Sequence, residues 1–191
     1  MVFKFKSYLN FLIKSTNQHG VHSPFVYNLV TKCFYNKEKR GSYPALSSLL
    51  KQGDNKKHFS PKTAKLLYRI PGYFDSKKAL LLSKKSGLIS EILSLNNSIE
   101  VHDSIQHKGH YDLIFIDLDV LTHYLKTNTL PSIAHNDTVI ITEAMYQSKH
   151  HIILWDNVKT HPKITVTVDT FSLGFVFIRQ EQAKEHFTVR L

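Results

Sequence analysis

The first fifteen positions alternate apolar and basic residues in helical register. Phe5, Tyr8, Leu9 and Leu12 recur at i, i+3, i+4 and i+7, which predicts a helix burying that face between lysines. Asn17 to Gly20 breaks the pattern. Ser23-Pro24 predicts a second helix start, with Ser as N-cap and Pro in the first turn, where its missing N–H costs nothing. Val26, Leu29, Val30 and Cys33 would line its buried face, and Lys37 to Gly41 would end it. Through residues 42–59 the pattern is faint: a short helix over Leu46 to Leu50, then a polar loop. Ser60-Pro61 repeats the start signal, predicting a helix through Lys65 to Ile70 that Pro71-Gly72 stops.

From Ala79 the period changes. Ala79 to Leu82 is a short unbroken apolar run, the mark of a strand buried on both faces. Ser86 to Leu95 reads as helix, Ile99 to Asp103 and Asp112 to Asp117 as strands, and Val120 to Lys126 as helix. Thr138 to Thr142 reads as strand, His150 to Lys159 as helix, and Ile164 to Val168 and Phe171 to Ile178 as two strands, the second interrupted by Gly174. Alternating strands and helices predict an α/β fold with a doubly wound parallel sheet. The last two strands share only a short connection and should pair antiparallel. The expectation is an N-terminal helical region, residues 1–78, packed on a reduced Rossmann-like sheet of about six mostly parallel strands, residues 79–191.

Composition narrows the class. With 191 residues, 42% of them hydrophobic, the chain can build one core and not two large ones. Seven Gly, six Pro and 21% charged residues exclude disordered, collagen-like and low-complexity classes. The single Cys33 excludes a disulfide scaffold and a thiolate-rich zinc site. No apolar run is long enough to span a bilayer. Met1 to Ser15, broken by Lys4, Lys6 and Lys14 and without a small-residue cleavage site, does not read as a signal peptide. A cytoplasmic protein is expected.

The net charge of +10 is uneven. Residues 1–78 carry 15 Lys and Arg against Glu38, Asp54 and Asp75, whereas residues 79–191 carry 10 against 12 acids. Such asymmetry points to an anionic partner for the first part, nucleic acid or acidic lipid; a solvated basic face is the plainer alternative. Aromatics interleaved there (Phe3, Phe5, Tyr8, Phe11, Tyr27, Tyr35, Tyr43) could stack on bases, but their helical spacing favours a core role.

Four strings together resemble a known group: NQHGVHSPFVYNLVTKCFY (Asn17 to Tyr35), YDLIFID (Tyr111 to Asp117), AHNDTVII (Ala134 to Ile141) and HPKITVTVDTFSLGFVFIRQEQAKEHFTVRL (His161 to Leu191). The chain resembles bacterial class I S-adenosylmethionine-dependent methyltransferases over most of its length. The resemblance implies a Rossmann-like fold, S-adenosylmethionine as cofactor, and a cofactor loop of the form acidic-x-Gly-x-x-x-Gly after the first strand. Here that stretch is Leu81-Leu82-Ser83-Lys84-Lys85-Ser86-Gly87. Leu81 stands at the acidic position and Ser83 at the first glycine, while Gly87 is retained. Leucine cannot help hold the cofactor's ammonium. Lys84 and Lys85 bring two cations beside a sulfonium, a repulsion on the order of a few kcal/mol near a protein surface. Asp103, ending the second strand, matches the acid that binds the ribose hydroxyls. Asp117, ending DLIFID, matches a position where metal-dependent members keep a metal-binding aspartate. The resemblance therefore gives Ser83, Gly87, Asp103 and Asp117 as cofactor-site positions. Only seven residues, Ser104 to His110, separate Asp103 from the next strand, so one strand and its helix of the family fold are missing.

Other constellations compete. Asp117, Asp119 and Glu143, followed by Ala144, could bring three oxygens to an Mg²⁺, or simply cap strand ends; no metal is expected. Twelve histidines include His107 with His110 and His150 with His151, but neither pair offers the three or four convergent ligands zinc needs. His19 and His22 could contact a substrate, with capping and packing the plainer role. Ser83-Lys84-Lys85-Ser86-Gly87 at a helix start could instead form an anion site, with Lys84, Lys85 and Ser86 holding a phosphate. No residue stands out as catalytic. Three functional readings follow: a methyltransferase homologue with an eroded cofactor site and weak or no transfer, an active divergent O- or N-methyltransferase, and a non-catalytic module binding nucleic acid or protein.

Overall fold

The structure, a computed structural model, describes residues 2–95, 99–106, 109–143 and 145–191. The expectations placed on His107 and Ala144 lie outside the described residues. Helix α1 spans Val2–Lys14 and a 3₁₀ turn Gln18–Gly20. Helix α2, Pro24–Asn28, is capped by the Ser23 hydroxyl, which accepts from the Val26 amide at 3.4 Å, and runs on as a π-helix, Leu29–Phe34. Its Val26, Leu29, Val30 and Cys33 are fully buried, as their spacing predicts. Helices α3, Tyr43–Lys51, and α4, Asn55–His58, occupy the faint stretch. Helix α5 spans Pro61–Phe74, its Ser60 cap accepting from Thr63 at 3.1 Å.

Two N-terminal expectations are corrected. Pro71 does not stop α5; it lies inside the helix, which continues one turn and ends at Asp75 in the left-handed region (φ 50°). So near the C-terminus, the lost N–H removes only one ladder bond. Helix α1 also forms as expected but faces the other way. Its buried residues are Ser7 and Phe11, while Phe5, Tyr8 and Leu9 are exposed. Phe11 sets the rotation by packing on Phe171 (5.4 Å between ring centres) and Tyr146 (6.3 Å).

The second part alternates β1 (Lys78–Leu82), α6 (Ser86–Ser94), β2 (Glu100–His102), β3 (Tyr111–Ile116), α7 (Leu118–Lys126), β4 (Ala134–Glu143), α8 (Lys149–Thr160), β5 (Val166–Asp169), β6 (Leu173–Phe177) and β7 (Glu185–Thr188). Seven strands form one sheet, in the order β2-β1-β3-β4-β6-β5-β7, where about six were expected. The uncounted strand is β7, four residues parallel to β5 at the edge. β1 to β4 are parallel, and β6 runs antiparallel to both β4 and β5. β2 is the opposite edge strand. Gly174 does not interrupt β6. A Cβ there would meet the Trp155 indole at 2.8 Å and Met145 Sδ at 3.2 Å, so the glycine lets α8 press onto the strand.

Two apolar clusters cover the sheet. One joins α2, the π-helix, α3, α5 and α6 to Leu81, Phe115, Ile141, Phe175 and Phe177. The other packs α7 and α8 against Leu80, Ile114, Ile116, Ile140 and Val176. Successive strand residues point to opposite faces, so buried strands read as continuous apolar runs. Both layers leave the carboxyl ends of β1, β3 and β4 open, which is where parallel sheets place their ligand crevice.

Candidate functional site

Each of those three strands delivers a polar residue to the crevice as it ends. After β1, the loop Ser83–Lys85 turns into α6. Asp117 follows β3; its amide donates to the Leu82 carbonyl at 3.0 Å, holding the two strand ends together. Its Oδ2 accepts from the Lys84 amide at 3.2 Å. Glu143 ends β4, and its carboxylate oxygens lie 2.8 and 2.9 Å from Lys85 Nζ. The same ammonium stands 5.0 Å above the Phe59 ring, so one lysine bridges the strand end and the helical layer.

Two cavities flank the loop. The larger, about 570 Å³, is lined by Lys85, Glu143, Phe59, Tyr146 and Phe171, with Lys4, Lys57 and His58 at its wall. The smaller, about 370 Å³, is lined by Leu81, Ser86, Gly87, Ser90, Val101, His102 and Asp103. Asp103 is exposed there, just past β2. A Cβ on Gly87 would meet nothing within 4 Å, so Gly87 fronts open space.

The expected residues thus separate into groups. Leu81, Ser86, Gly87 and Asp103 share the smaller cavity, while Lys85 and Glu143 belong to the larger one. The three metal candidates go to three different partners: Asp117 to the Lys84 amide, Glu143 to Lys85, and Asp119 to His150 and His151 at 3.7 and 3.9 Å. Among the described residues no group of three or more His, Cys, Asp or Glu side chains is placed to hold a metal ion.

At the anion site expected at Lys84, Lys85 and Ser86, the backbone amides already have partners within the crevice. The Lys84 amide is taken by Asp117, the Lys85 amide by Ser83 Oγ at 3.2 Å, and the Ser86 amide by the Ser83 carbonyl at 3.0 Å. An anion would compete with Asp117 for the Lys84 amide and with Glu143 for the Lys85 ammonium. His19 and His22 are both exposed and line neither crevice cavity.

Sequence reasoning missed Lys57, His58 and Phe59, because they fall in the faint stretch before Ser60. It also missed a polar knot behind the crevice. Asp169, 5% exposed at the end of β5, accepts from Tyr146 Oη, from Trp155 Nε1 at 3.2 Å and from the Phe171 amide at 2.8 Å. Burial pushes the Asp169 carboxyl above the usual carboxylate range, against these donors, and burial beside Asp169 raises the Tyr146 phenol. An acid closing the β-branched run Val166-Thr167-Val168 was the available signal.

No family model matches the chain, and no curated protein matches it. Solved structures do. An SAH-bound methyltransferase of Podospora anserina is 10% identical, over 84% of this chain and 97% of that one, with a TM-score of 0.52. A methyltransferase from Geobacter sulfurreducens is 11% identical, over 75% and 93%, with a TM-score of 0.50. At such identities the likeness speaks for the fold. In strand order and in this likeness, the chain has the Rossmann-like fold of class I S-adenosylmethionine-dependent methyltransferases.

Proposed function

We propose that this chain is a class I methyltransferase homologue whose cofactor site has eroded, leaving weak or no methyl transfer. The observation that carries the reading is Lys85, whose ammonium is fixed between Glu143 and the Phe59 ring at the strand ends. A sulfonium bound in that crevice would find the Glu143 carboxylate already neutralised by Lys85 and would have to compete with that ammonium for it. The rest of the loop agrees. Leu81 offers no charge to an ammonium, and Asp117, which could accept from a ligand, already accepts from the Lys84 amide. The residues present therefore do not fit S-adenosylmethionine as the family loop would.

Calorimetric titration of the nucleic-acid-free protein with S-adenosylmethionine and S-adenosylhomocysteine tests this. No heat at millimolar ligand, with an unshifted melting temperature, is expected. Low-micromolar binding of either would overturn the reading, and would mean that Asp103 and the backbone beside Gly87 suffice for an active, divergent O- or N-methyltransferase.

A further inference from the structure

Helix α1 is amphipathic in the wrong sense for a helix that serves only the core. Val2, Phe5, Leu9 and Ile13 are 70, 62, 44 and 83% exposed. At steps of three and four residues they form one stripe along the helix. The opposite side, turned inward, carries Ser7 and Phe11. A surface helix ordinarily buries its apolar stripe, and a contiguous exposed one marks an interaction surface.

The orientation is fixed by contacts at the inward side. Phe171 packs on Tyr8 at 4.9 Å and on Phe11 at 5.4 Å. Beyond the helix, the Thr16 amide donates to the Thr188 carbonyl at 2.8 Å and the Arg190 amide to the Thr16 carbonyl at 3.0 Å. The stripe therefore cannot roll inward without breaking an aromatic cluster and a strand bridge.

We infer that α1 is a docking helix that lays its stripe into an anionic lipid surface. Charge selects the occupant. The helix carries Lys4, Lys6 and Lys14 and no acid; Lys4 and Lys14 flank the inward side, where they line cavities with Phe171 and Phe11. Lys6 borders the stripe directly. A second copy of the chain would need a larger face than this stripe provides. At about 20 Å long and 10 Å wide, the stripe offers on the order of 200 Å², well short of the ~800 Å² each partner gives to a standard interface. RNA would engage the lysines but leave Val2, Leu9 and Ile13 uncovered. A bilayer interface meets both needs, with anionic headgroups for Lys6 at the edge of the stripe and the acyl boundary for the stripe itself. No helix among the described residues is long and apolar enough to cross a membrane, so the helix would lie on the surface.

Vesicle flotation of the full chain tests this, using phosphatidylcholine alone and phosphatidylcholine with about 30% phosphatidylserine, at low and moderate salt. The chain is expected to float with the anionic vesicles only, less so at moderate salt. Phe5→Ser/Leu9→Ser/Ile13→Ser should cut the bound fraction about tenfold, and Ile13→Ser alone several-fold, both at an unchanged melting temperature. Lys6→Glu should also weaken flotation. Absence of flotation, or flotation unaffected by the serine variants, overturns the inference. So does a wild-type dimer that the serine variants turn into monomer in sedimentation, which would put a second copy on the stripe. Salt-sensitive binding of an RNA oligonucleotide without flotation would overturn it in favour of nucleic acid.

Discussion

Arg69 on α5 reaches the end of the π-helix, where its Nε donates to the Cys33 carbonyl at 2.9 Å. Its Nη2 donates to the Phe34 carbonyl at 3.1 Å and its Nη1 to Tyr43 Oη at 3.3 Å, from a side chain only 7% exposed. One guanidinium thus satisfies carbonyls that a helix end leaves without intrahelical partners. Arg69→Met should lower stability by about 2–4 kcal/mol, because two buried carbonyls lose charge-assisted donors. Arg69→Lys, with a single donor group, should fall between. Urea unfolding decides it: midpoints within error of wild type would mean that water replaces the guanidinium at no cost.

Cys33 shares that environment. Burial pushes its thiol up to about 12, against the lowering influence of Arg69 and Arg40, and its side chain is 1% exposed. Thiolate is the reactive species, so the native protein should react with a thiol reagent about 100-fold more slowly than the urea-unfolded chain. Arg69→Met should speed native labelling by loosening the helix end. Equal native and unfolded rates would show Cys33 to be accessible.

What the sequence made legible was local. Ser23-Pro24 and Ser60-Pro61 start helices because cap and proline act within one turn. The apolar runs of β1 and β3 read correctly because both faces of a central parallel strand are buried. Direction and pairing were not legible. Phe5 and Leu9 have the right spacing for a core face, but Phe11, Phe171 and Tyr146 decide which side turns inward. Lys85 and Glu143 are 58 positions apart, and only the parallel arrangement of β1, β3 and β4 brings them together. β7 is four residues long, too short for alternation to register.

The Lys85–Glu143 pair is partly buried, at 27 and 12% side-chain exposure. A double-mutant cycle of Lys85→Met and Glu143→Gln should return a coupling of about 1–2 kcal/mol, reduced by added salt. Lys85→Met alone should be the most damaging of the three variants, since it leaves Glu143 in the crevice without its cation. A coupling near zero would mean the lysine is free to swing away, which would remove the main support for an eroded site.

At the amino ends of the strands, Asp112 joins β1 to β3. Its Oδ2 accepts from the Lys77 and Lys78 amides at 2.7 and 2.9 Å, and its Oδ1 lies 3.0 Å from His135 Nε2. Burial alone would raise its carboxyl; the two amides and His135 outweigh it and hold it below the usual range. A depressed folded value means the stabilisation is present above the unfolded carboxylate value of about 3.9 and is lost as pH falls through the lower folded one. Asp112→Asn should therefore cost roughly 1 kcal/mol or less at neutral pH, given the site's exposure, and the gap to wild type should narrow below pH 4. A gap that is constant with pH would assign the loss to packing rather than to charge.

Asp169 should show the opposite sign. Burial raises its carboxyl, while Tyr146, the Phe171 amide, Lys159 and Trp155 pull it back only in part. The folded protein then holds the proton at pH values where the unfolded chain, near 3.9, has released it. Over that interval the native state binds more protons, so the contribution of Asp169 to stability declines as pH rises. Asp169→Asn removes this titration and keeps an oxygen to accept from Tyr146 or from the Phe171 amide, whose residue sits in the left-handed region at φ 67°. Urea unfolding of both proteins from pH 4 upward should therefore show wild type losing ground to Asp169→Asn, whereas it should gain ground on Asp112→Asn over the acidic range. A wild-type advantage over Asp169→Asn that grows with pH would mean that the three donors outweigh burial, and that the knot holds a stable carboxylate behind the crevice.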